Sequence, residues 1–164
     1  MDTSIQLVFW GGLFFCIKHF IADGILQTDY QYANKGKWGH PGGLIHSGNH
    51  GLFTFPCFVL PFIIAGVDKP LWYICAFGVI AAVADFMIHY LIDLTKIQVT
   101  DKYGWSAMGK GTSKLNKDER KALLIYDNKY FWAIMADQCL HFMTYVMLLC
   151  FMLAILFHTP QITG

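Results

Sequence analysis

Four long apolar runs, at about 5–27, 44–67, 71–97 and 130–157, alternate with three polar connections. Each run meets the requirement of about 20 residues for an α-helix to cross the hydrocarbon of a bilayer. Within 5–15 and 148–157 no polar position recurs at helical spacing, so these stretches are apolar all round. A water-soluble bundle would keep a solvated stripe on each helix. The pattern therefore predicts an all-α, polytopic membrane protein, with four transmembrane helices in a bundle and 1–164 as a single integral membrane domain. The first run has no basic segment before it, since residues 1–4 hold only Asp2, and Lys18, His19 and Asp23 interrupt its apolar character. It reads as a span and not as a cleaved leader.

Charge in the connections sets an orientation. Segments 28–43 and 98–129 carry nine Lys and Arg, whereas the turn Asp68-Lys69-Pro70 carries one and the two ends none. The positive-inside rule places 28–43 and 98–129 in the cytoplasm and both termini outside it. Composition agrees with a membrane setting: 55% of residues are hydrophobic and 14% charged, about half the charge of a soluble domain. A net charge of +1 provides no field to gather nucleic acid, so no nucleic-acid partner is expected. Cys16, Cys57, Cys75, Cys139 and Cys150 have no paired spacing and read as small buried hydrophobes. Two local patterns in 98–129 read blandly. Gly104 to Gly111 nearly spells a phosphate-binding loop but lacks the terminal Ser or Thr, and no strand precedes it. Asn116 to Glu119 resembles a capping box opening a short surface helix.

The polar residues inside the runs are the informative ones. Each run holds an ionisable pair at i, i+4: His19 and Asp23, His46 and His50, His89 and Asp93, Asp137 and His141. Residues four apart share a helix face. A charged group at membrane depth costs about 2.5–3.5 kcal/mol on insertion scales and usually faces a bundle interior. With a rise of about 1.5 Å per residue, His19, His50, His89 and Asp137 lie roughly 9–12 Å from the cytoplasmic ends of their runs. Four pairs thus fall in one layer. Imidazole and carboxylate at this spacing form a helical chelate, and a bundle can collect several into a metal site. His19, Asp23, His46, His50, His89, Asp93, Asp137 and His141 are the candidate ligands. Zinc suits this donor set, with manganese or iron as alternatives. Asp23, Asp93 and Asp137 would divide between ligand and water-activating base, the lone Glu119 lying in the basic connection. Lys96, Gln27 and Gln138 are candidate substrate-binding groups, with Lys35 and Lys37 able to steer an anion toward them. His40 and His158 read as structural.

The ordered series His19-Phe-Ile-Ala-Asp23, Asn34-Lys35-Gly-Lys37, His46-x-x-x-His50, His89-x-x-x-Asp93-x-x-Lys96 and Asp137-Gln138-x-x-His141 resembles a family of small bacterial and phage-encoded membrane proteins, domain of unknown function 3307. The resemblance covers nearly the whole chain, with Gly24 standing where the pattern has Phe. It implies a multi-pass protein of the bacterial cytoplasmic membrane, or a phage-encoded one in its host's membrane, and no established reaction. A looser architectural similarity is to membrane-bound metal-dependent hydrolases.

The residues lead to a metal-dependent hydrolase acting at the cytoplasmic leaflet on a membrane lipid or phosphoester, in a protein that can oligomerise. Transport or sensing of a divalent cation or proton is the rival reading. The outer halves of the runs hold few polar groups, Ser4, Gln6 and Thr144 among them, which speaks against a pore. A third reading is a membrane accessory protein whose His–Asp layer is purely structural. The orientation is testable by reporter fusions. Alkaline phosphatase joined at 68–70 should be active and joined within 28–43 inactive; the reverse pattern would invert the topology.

Overall fold

The computed structural model describes residues 1–105, 118–119 and 128–158. The near phosphate-loop pattern beyond Trp105, the first half of the capping-box pattern (Asn116 and Lys117) and the basic residues Lys110, Lys114, Arg120 and Lys121 lie outside the described residues. The described chain is helical: α1 Thr3–His19, continued by a π-helical stretch Phe20–Ile25, then α2 Asp29–Asn34, α3 Pro41–Ile64, α4 Leu71–Tyr103 and α5 Asn128–Phe157. Four of these are long and apolar enough to cross a membrane: Thr3–Ile25, Pro41–Ile64, Leu71–Tyr103 and Lys129–Phe157.

Local chemistry explains where the helices start and stop. The Asp2 carboxylate accepts from the Ser4 amide at 2.8 Å and opens α1. Thr28 and Gln31 cap one another at the start of α2. His40, read from sequence as a loop residue, is the N-cap of α3, its Nδ1 accepting from the Gly42 amide at 3.1 Å ahead of Pro41 at the first helical position. The third helix runs to Tyr103, six residues past the boundary expected at 97, because nothing breaks it until Gly104 takes up a left-handed φ of 70°. The following connection is correspondingly shorter than 98–129.

Packing inverts the arrangement of a soluble bundle. Lys18, His46, His50, Asp85, His89, Asp93, Asp137 and His141 are buried, while Leu52, Val79, Ile80, Val83, Met143 and Val146 are more than half exposed. Water would not tolerate that outer surface; a hydrocarbon solvent suits it. For the same reason Cys16, Cys139 and Cys150 sit on the outside, correcting the expectation that the cysteines are buried. An apolar core of Leu7, Phe15, Phe58, Phe62, Ile74, Leu148, Met152 and their neighbours fills one half of the bundle, and the polar residues occupy the other.

Small residues let the backbones approach closely enough to bring that layer together. A Cβ on Gly51 of α3 would stand 2.8 Å from the Ala82 carbonyl oxygen of α4, whereas one on Gly48 would meet nothing within 4 Å. Close backbone contact of this kind is the usual basis of helix pairing in lipid. Gly51→Ala should therefore lower stability by about 1–3 kcal/mol through overpacking. Gly48→Ala should raise it by about 0.5–1 kcal/mol through helix propensity. Thermal unfolding of the two variants in detergent checks the contrast.

Candidate metal centre

The last turn of α1 widens into the π-helical stretch, marked by the Leu26 amide donating to the Ile21 carbonyl at 2.9 Å. Such insertions re-aim a side chain and recur at functional sites. Here the stretch carries Asp23 into the bundle. Its Oδ1 lies 3.1 Å from His46 Nε2 and 3.2 Å from His50 Nε2, and its Oδ2 lies 3.2 Å from His19 Nε2. The spacing of four puts both α3 histidines on the face that meets Asp23. From α4, His89 directs its Nε2 to within 3.2 Å of His46 Nε2.

Asp23, His46, His50 and His89 thus offer four donor atoms within 4.8 Å of one another. A second group, His89, Asp93 and His141, meets the same limit and shares His89. Three of the six separations in the first group, 3.1, 3.2 and 3.2 Å, lie close to the edge of about 3.3 Å that follows from four ligands at about 2.0–2.1 Å from a tetrahedral zinc. Hydrogen bonding alone fits this crowding poorly. His46 Nε2 has Asp23 Oδ1, Asp93 Oδ2 and His89 Nε2 all within 3.2 Å, yet one ring nitrogen carries at most one proton. His50 and His89 stack with centroids 3.5 Å apart, and His89 and His141 at 4.2 Å. Imidazole ligates metal as the neutral ring, and stacked neutral rings carry no like-charge repulsion.

Around the donor set, other residues balance charge. Lys35 Nζ lies 3.0 Å from Asp93 Oδ2. Lys96 Nζ lies 3.0 Å from Asp137 Oδ2 and 3.4 Å from Asp93 Oδ1. Asp137 Oδ1, 3.6 Å from His141 Nε2, is buried and has no aligned hydrogen-bond partner, and the same holds for Asp93 Oδ2 and the Nδ1 atoms of His50 and His89. Gln138 bridges His19 Nε2 at 3.1 Å and Asp137 Oδ2 at 3.2 Å. Gln27 reaches Asp23 Oδ1 at 3.4 Å and the His46 ring at 3.3 Å. Asp23, Gln27, Asp93, Lys96, Asp137 and Gln138 line a cleft of about 470 Å³. Asp23 is the most accessible of the carboxylates, its side chain 26% exposed against 3% for Asp93 and Asp137.

All eight residues singled out as ligands therefore lie in one network. His19 and Asp137 fall outside the two compact groups, with His19 bonded instead to Gln138 and, through Nδ1, to the Tyr145 hydroxyl at 2.9 Å. Lys37 is exposed, on Asn34 Oδ1 at 2.7 Å. Lys35 differs: sequence placed it in a solvated connection, but it is buried on Asp93. Its neighbour Gly36 packs so tightly on α4 that a Cβ there would clash with the Ile97 side chain. A glycine beside the lysine was the signal available.

Sequence reasoning left Lys18 without a role and offered Asp85, four residues before His89, as an extension of the His89–Asp93 set; the structure pairs the two instead. Their Nζ and Oδ2 atoms form a buried ion pair of 2.6 Å, with the Thr54 hydroxyl donating to Asp85 Oδ2 at 2.7 Å and Lys18 donating to Tyr145 at 3.3 Å. Asp85 extends the His89–Asp93 face by one turn, but it serves Lys18 and not the donor set. Asp85→Leu should destabilise the protein by about 3–5 kcal/mol by leaving the Lys18 charge unpaired. Lys18→Met with Asp85→Leu should recover most of that loss, as read by thermal unfolding. No curated protein and no solved structure matches the chain. Residues 13–162 match the model of a family described as protein of unknown function, DUF3307, and the chain belongs to that family.

Proposed function

We propose that this is a membrane-embedded metal-dependent hydrolase whose single ion is held by Asp23, His46, His50 and His89, near the cytoplasmic side. The observation that carries the reading is the convergence of three imidazole nitrogens and one carboxylate oxygen, from three helices, within 4.8 Å. A divalent ion held there, and open to a water as a fifth ligand, would lower the pKa of that water toward about 7 and polarise an ester or phosphoester. Asp137, which lines the cleft and whose Oδ1 has, among the described residues, only His141 Nε2 near it at 3.6 Å, is the base that takes the proton of the attacking water. As the ester bond breaks, Asp137 passes that proton on to the leaving alkoxide, which departs as the alcohol and leaves Asp137 ionised again. Lys96, Gln27 and Gln138 line the same cleft and are the groups that bind substrate. Zinc fits the His3Asp donor set best, with manganese or iron as alternatives.

One observation favours a second reading. Asp85, Lys18, Tyr145 and His19 form a continuous hydrogen-bonded chain leading from the bundle interior to Asp23, which suits a proton relay. Elemental analysis of purified protein separates the two. The hydrolase reading expects about one equivalent of zinc, manganese or iron, at least tenfold less in His46→Ala and His50→Ala, and unchanged in His40→Ala. Folded wild-type protein that takes up no metal on reconstitution would sink it, and a Tyr145→Phe variant defective in proton movement would then support the relay.

A further inference from the structure

Between α4 and α5 an apolar groove of about 490 Å³ opens on the outer surface, lined by Leu91, Val99, Trp132, Ala136 and Leu140. It is continuous with the polar cleft: Lys96, Trp105, Ala133 and Asp137 line both. The outer surface around it is the one that faces hydrocarbon, with Leu91, Leu140 and Trp132 exposed there. One path thus runs from the acyl-chain region of a bilayer, past the Lys96 ammonium, to the donor set. Its two ends have opposite chemistry, one apolar and one charged, as an amphiphile does.

Charge identifies the head group. Asp23, Asp93 and Asp137 face Lys35 and Lys96; the Lys18–Asp85 pair cancels within itself, and the exposed Asp101 of the cleft is offset by the exposed Lys129 of the groove. Three carboxylates against two ammonium groups leave one negative charge. A divalent ion in the donor set turns that into one positive charge, which inside a membrane calls for an anion. We propose that the occupant is an anionic phospholipid entering sideways between α4 and α5. An acyl chain lies in the groove and the phosphate sits in the cleft beside Lys96. This assignment rests on the metal reading for the sign of its charge, and it names the substrate class of the same site.

The test uses the full chain reconstituted with zinc in nanodiscs of phosphatidylcholine containing a trace of phosphatidate that bears a photoreactive diazirine on its acyl chain. Labelling should concentrate on 91–99 and 132–140. Unlabelled phosphatidate should compete at least tenfold better than added phosphatidylcholine, and glycerol 3-phosphate and inorganic phosphate should not compete. Leu140→Trp, which fills the groove, should cut labelling several-fold. Lys96→Gln should reduce the preference for phosphatidate over phosphatidylcholine at least threefold. Zinc is counted in the same samples. Bound zinc with labels spread evenly over the four long helices, with no anionic preference, with equal competition by soluble phosphate, or with crosslinks to a second copy of the chain overturns the lipid assignment alone. Absent zinc with labelling still confined to the groove overturns the metal reading alone.

Discussion

The carboxylate of Asp23 lies within 3.2 Å of imidazole nitrogens at His19, His46 and His50, and this contact joins the end of α1 to the start of α3. A charge in a low-dielectric interior is tolerated only when groups within hydrogen-bond reach balance it. Every other polar residue in this half of the bundle follows from that requirement. His46 needs Asp23 and Asp93; Asp93 needs Lys35 and Lys96; Lys96 in turn holds Asp137. The chain of obligations passes through all four long helices and through α2's trailing loop. Remove the carboxylate at its centre and several buried donors lose their acceptor at once.

Such a network can form only if backbones come close, and the bundle divides its labour accordingly. At one end Phe58, Phe62, Leu7 and Met152 pack as an ordinary apolar core. Across the middle lies the Lys18–Asp85 pair, a neutral unit anchored by Thr54 and Tyr145. Toward the other end Gly51 seats α3 on α4, and Gly36 lets the loop after α2 settle onto Ile97. These small residues bring the histidines of α3 and α4 to stacking distance. The π-helical stretch in turn rotates Asp23 toward them. Irregular backbone at membrane depth is tolerated where it is buried in protein or lines a polar cavity, and here Asp23 of the stretch lines the polar cleft.

The proposed function would use a bundle that is polar and enclosed at one end while its flank stays apolar and open. A donor set deep enough to exclude bulk water strengthens any electrostatic interaction made there. The cleft gives it access, and the groove between α4 and α5 connects that access to the lipid phase. On the proposed reading, an amphiphile would reach the donor set by this route without leaving the bilayer.

The sequence alone determined the four apolar helices, because length and the lack of a polar stripe depend on local composition only. It also determined which residues meet, since pairs at i, i+4 must share a face and a buried charge must seek the interior. His46 with His50 and His89 with Asp93 were legible in that way. What it could not decide was how the pairs divide. His19 and Asp137 have the same spacing as the others, yet the twist of α1 and the position of α5 leave them beside the compact groups and not within them. Lys35 was read as an anion-steering residue of a cytoplasmic connection, because its burial on Asp93 goes with a glycine contact across sixty residues of chain. Lys18 and Asp85 became a pair for the same reason. Periodicity fixes the face of a helix; only the crossing of one helix over another fixes which faces touch, at what height, and which charge each buried group is given to balance it.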